Sequence, residues 1–183
     1  MRLQVMVLAF LTLMGGRALA GDEFDAVRCG ANIPQALIGR HSPNERVVVT
    51  EARHRELALK DLGADIINDD LNMIVWSICG AEYYMLVDRH DIIRDVLPFP
   101  AHSKNAPASS GPCQRNGRET SGVIYSVLDN RAGENRKYDQ NDKSLLPALW
   151  AWRVDEKRAK FVKLDVIGLR CPLSAIDPRD RIQ

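Results

Sequence analysis

The sequence predicts an α+β fold. An antiparallel sheet, made of a meander and a C-terminal hairpin, packs against one or two short N-terminal helices, and disulfides brace it. Three observations carry this expectation. Residues 73–79, 82–88 and 92–97 are short runs rich in Ile, Val, Tyr and Trp, which suit a pleated, half-buried surface. Tight connections at Gly80-Ala81 and Arg89-His90-Asp91 join them into the meander. Residues 147–154 and 159–164 form a second pair of runs around Asp155-Glu156-Lys157-Arg158, and Cys29, Cys79, Cys113 and Cys171 are spread along the chain.

Taken in order, the chain opens on Met1-Arg2, an apolar run over 3–13, a Gly15-Gly16 break and Ala18-Leu19-Ala20. This is the three-part pattern of a secretory leader, with cleavage expected after Ala20. The apolar run is shorter than the roughly 20 residues a bilayer span needs. Residues 21–172 are then expected to form one domain, and 173–183 a frayed tail. The formal charge of +1 over 183 residues falls close to neutral once Arg2 and Arg17 leave with the leader. No strong field draws such a chain to nucleic acid or to an anionic membrane.

Residues 33–39 read as a short helix, with Asn32 as N-cap, Pro34 in the first turn, Gly39 as the stop and Ile33, Leu37 and Ile38 facing inward. A second helix is expected over 51–59, with Asn68-Asp69-Asp70 as a turn into the meander. In the first meander strand Ile74, Trp76 and Ile78 share one face, and Met73 and Val75 the other. Both faces are apolar, so the strand should be covered on both sides. Residues 98–112 hold four prolines and read as an irregular loop. Residues 122–128 are a further strand, and 129–144 a charged connection. In the hairpin, Trp150, Trp152 and Val154 share a face, which reads as core or as an aromatic platform.

An even number of cysteines behind an export leader points to disulfides. Of the three possible pairings, Cys29–Cys79 with Cys113–Cys171 closes each half of the chain. Cys29–Cys171 with Cys79–Cys113 is the alternative. The spacing offers no C-x-x-C pair, so neither a redox motif, a zinc knuckle nor covalent haem is indicated.

No known catalytic motif stands out: there is no G-x-S-x-G, no phosphate-cradling loop and no H-E-x-x-H. His41, His54, His90 and His102 show no metal-ligand spacing, and no metal or cofactor is expected. Asp65, Asn68, Asp69 and Asp70 read as a solvated acidic turn. The candidate binding element is the proline-bracketed loop, with Phe99, His102, Ser103 and Lys104 as its contact residues. The leading expectation is an exported binding or interaction protein of the periplasm or cell exterior, taking a protein or small-molecule partner. An inhibitor-like role is one concrete form of it. The alternatives are a small secreted hydrolase using His90, His102, Asp95 or Glu82, and a structural envelope component.

Overall fold

The structure, a computed structural model, describes residues 24–43, 51–131 and 144–173. The expected leader, most of the charged connection and the tail beyond Leu173 lie outside the described residues.

The chain first lays down α1 (Ile33–Leu37) and α2 (Glu51–Glu56). Asn32 caps α1 by accepting the Gln35 N–H at 3.1 Å, and Ile33 and Leu37 are buried beneath it. Ile38, expected inside, is 42% exposed, because the helix ends before it. α2 stops short of the expected residue 59. Ala58 turns to a φ of 46°, and the chain becomes extended with Leu57 and Leu59 buried.

The first sheet is an antiparallel meander of β1 (Lys60–Asn68), β2 (Leu71–Ile78), β3 (Ala81–Asp88) and β4 (Ile93–Phe99), in that spatial order. Strand β1 carries little alternation in the sequence because it is an exposed edge with both faces mostly in solvent. The β2–β3 turn is Cys79-Gly80, one residue earlier than expected, with φ of 54° and 80°. Positive φ at both central residues is the type I′ geometry that fits strand twist. The β3–β4 connection is Arg89-His90-Asp91, with Asp91 at φ 61°, and Asp88 Oδ1 accepts the N–H groups of His90 (2.9 Å) and Ile92 (3.1 Å).

The fold departs from the expected single sheet. A second antiparallel sheet is built from β5 (Ala108–Gly111), β6 (Gln114–Arg115), β7 (Arg118–Glu119), β8 (Ile124–Leu128), β9 (Leu145–Asp155), β10 (Lys160–Lys163) and β11 (Leu169–Pro172). Its order is β5-β8-β9-β11-β6-β7, with β10 on the far part of β9. Helices are minor, and the molecule is β-rich. The supposed irregular loop over 98–112 shrinks to 100–107. Pro98 sits in edge strand β4, where a missing donor is tolerated, and 108–111 pair with β8.

Three apolar clusters hold the layers. Between the sheets lie Met73, Val75, Tyr84, Leu97, Phe99, Tyr125, Val127, Trp152 and Val154. Here Tyr84 stacks on Phe99 at 4.2 Å, and Phe99 meets Trp152 at 5.8 Å. On the outer face of the first sheet, Ile78, Met85, Ile93 and Val96 pack with Phe24, Val27, Ile33, Leu37 and Leu57, flanked by Ile74 and Trp76. Strand β2 is therefore covered on both faces, and the two sides divide by residue parity. The third cluster gathers Ile124, Leu128, Ala148, Ala151 and Leu169 around Cys113 and Cys171, and Leu173 packs against it.

Two disulfides cross-link this body. Cys29–Cys79 spans 50 residues and ties the N-terminal layer to the β2–β3 turn. Cys113–Cys171 spans 58 and ties the start of β6 to β11. No helix among the described residues is long and apolar enough to cross a membrane.

Candidate functional site

The candidate loop leaves β4 at Phe99 and re-enters the second sheet at β5. Its flanks are turned inward. Phe99 is 6% exposed and belongs to the inter-sheet core, so its ring is not presented at the surface. His102 is steeply inclined to Phe99, at 74°, with ring centroids 6.0 Å apart. Its Nε2 lies 3.0 Å from Glu82 Oε2, with the two side chains 5% and 17% exposed. Ser103, Lys104 and Asn105 are exposed.

The tip is nevertheless fixed. Ser103 and Ala106 exchange both backbone hydrogen bonds at 3.0 Å, closing a tight turn at Lys104-Asn105. Asn130, just past β8, donates its backbone N–H to Asn105 O at 3.0 Å and its Nδ2 to Lys104 O at 3.1 Å. Leu128 N–H reaches Pro107 O at 2.9 Å. Asn130 was not singled out in the sequence. Its position two residues after an apolar strand run is the one signal in the sequence that marks it as a cap.

Glu82, His102, His90 and Asp95 fall in three places. Glu82 and His102 meet. His90 sits in the β3–β4 turn, at the other end of β3, which is about 20 Å away at the ordinary rise of a strand. Asp95 clasps the two sheets: Oδ2 accepts the Phe161 N–H at 2.8 Å, and Oδ1 lies 3.2 Å from Lys160 Nζ.

A cleft of about 450 Å³ opens at the His90 end, where the β1–β2 and β9–β10 turns approach β3 and β4. Asn68, Asp69, Asp70, Asp88, Arg94 and Glu156 supply its polar lining. Asn68 Nδ2 donates to Glu156 Oε2 at 2.8 Å, and Arg94 lies 3.6 Å from Asp88. Burial works against the Asp88 charge, yet the N–H groups of Ile92 and His90, together with Arg94, hold its carboxyl below the usual range. Asp65 is apart from this cluster, exposed on β1. Among the described residues, no three His, Cys, Asp or Glu side chains converge to hold a metal ion.

The two tryptophans of β9 separate. Trp152 is 9% exposed and packs between the sheets. Trp150 is 44% exposed, with Lys163 Nζ 4.8 Å from its ring centroid. They do not form a joint platform. Tyr125 carries a buried hydroxyl without a hydrogen-bond partner among the described residues, and burial first, then Asp65 and Tyr84, push its pKa up. No family model matches this chain, and neither a curated protein nor a solved structure matches it.

Proposed function

We propose that this protein is an exported binding module that acts in the periplasm or at the cell exterior and recognises its partner through the tip Ser103-Lys104-Asn105. The observation that carries this reading is the mounting of the tip. One flank is anchored by Phe99 in the core and by the His102–Glu82 contact, the other by Asn130. A surface ordered before it meets its ligand loses little conformational entropy on binding. The two disulfides and the leader-like N-terminus support the compartment. The contact set of the sequence reading narrows accordingly: Ser103 and Lys104 touch the partner, while Phe99 and His102 hold the loop.

The test is affinity capture from a periplasmic or culture-fluid extract, with the wild type, a Lys104→Glu/Asn105→Ala variant, and Lys157→Glu as a charge-matched control in the β9–β10 turn. The reading expects a partner retained by the wild type and the control and lost by the tip variant. Equal capture by all three, or none by any, overturns it.

A second reading, a small secreted hydrolase, has the Glu82–His102 contact in its favour. It requires hydrolysis of a model ester or peptide that His102→Gln abolishes while the variant stays folded.

A further inference from the structure

The two disulfides stand in different surroundings. Cys113 and Cys171 are 1% and 0% exposed and lie inside the outer cluster of the second sheet. Cys29 is exposed, and Cys79 is half-buried in the β2–β3 turn. Cys29 Sγ lies 3.8 Å from the carbonyl oxygen of Glu56, at the end of α2.

The same corner carries two guanidinium groups. Arg53 lies 2.7 Å from the Glu56 carboxylate and donates to the carbonyls of Phe24 and Val27. Arg28 donates to Val27 O at 2.7 Å, and its charge also reaches Glu56. Non-covalent fastenings hold the same corner beside the S–S bond: the Arg53 bonds, and the Cys79 N–H donating to Leu57 O at 2.6 Å.

We propose that Cys29–Cys79 is a thiol-exchange site open to external thiols, whereas Cys113–Cys171 is a closed structural bridge. An external thiolate attacks Sγ of Cys29, the more exposed residue of the pair, from the side opposite Cys79. A new S–S bond forms to Cys29, the Cys29–Cys79 bond breaks, and Cys79 leaves as a thiolate that takes a proton from water. A second thiolate resolves the mixed disulfide. The bridge gains two electrons, and the two external thiols lose them as their own disulfide. In that second step Cys29 is the leaving group.

A buried bridge exchanges only through local or global opening, so Cys113–Cys171 should lag by about tenfold or more. The experiment treats the folded, oxidised protein with glutathione, quenches with an alkylating reagent and maps peptides by mass spectrometry over time. The expected result is a glutathione adduct on Cys29 and a free Cys79, while Cys113–Cys171 stays intact. In urea the two bridges should exchange at similar rates, which assigns the difference to the fold. Equal or faster reaction at Cys113 or Cys171 in the folded protein overturns the proposal. So does an adduct formed mainly on Cys79, no exchange at either bridge, or a rate difference that persists in urea.

Discussion

Replacing Phe99 by alanine separates a core residue from a surface contact. Phe99 lies between the sheets, stacked on Tyr84 at 4.2 Å, tilted against Trp152 at 5.8 Å and steeply inclined to the His102 ring at 6.0 Å. Truncating a buried phenylalanine ordinarily costs about 3–5 kcal/mol, because transfer energy is lost and a cavity is left. Two aromatic partners place Phe99 in the upper part of that range, since each ring pair adds about 0.5–1.5 kcal/mol beyond area burial. A domain of ordinary stability holds about 5–15 kcal/mol, so the variant should be severely weakened but measurable at low temperature. The assay is urea unfolding followed by tryptophan fluorescence. With a slope of about 1–3 kcal/mol per molar, the midpoint should fall by one molar or more. Phe99→Leu, which keeps most of the apolar volume, should lose less than half as much. A loss below about 1 kcal/mol for Phe99→Ala, typical of a surface change, refutes the assignment of this ring to the inter-sheet core.

Other outcomes follow from the same geometry. Changing Cys113 and Cys171 together to serine opens a 58-residue loop and should cost about 4 kcal/mol by chain entropy, read as a lower denaturation midpoint under non-reducing conditions. Gly80→Ala should cost about 1–2 kcal/mol from its left-handed backbone alone, because its φ is 80° and an added Cβ meets nothing within 4 Å. Asp88 sits below its ordinary pKa in the folded state. Its stabilisation is therefore present above the unfolded aspartate value and fades as pH falls through the folded one. Asp88→Asn should flatten the decline of melting temperature below pH ~4, and an unchanged acid limb contradicts the assignment.

The sequence was most legible where burial was two-sided. Apolar residues at both parities of β2 mark a strand covered on each face, and Ile74, Trp76 and Ile78 do pack opposite to Met73 and Val75. The pattern does not say what covers a face, which is why the second sheet was not anticipated as a separate layer. Strand β1 was missed for the reverse reason: exposed on most of its length, it has no apolar alternation to read. The β6–β7 hairpin did carry a signal, Asn116-Gly117 with φ of 52° and 76°, but its two-residue strands are too short to show a period. At the candidate site a turn at 103–106 lies between Pro100 and Pro107, whereas the inward direction of Phe99 and His102 depends on partners from β3 and β9. Trp150 and Trp152 share a parity, yet their burial differs because the facing sheet covers only one of them.

Non-reducing peptide mapping of the protein recovered from outside the cytosol tests the central claim most directly. The account predicts an N-terminus at Gly21 and two cross-linked peptide pairs, Cys29 with Cys79 and Cys113 with Cys171. Free thiols at these positions, a crossed pairing of Cys29 with Cys171, or an untrimmed chain confined to the cytosol would contradict it.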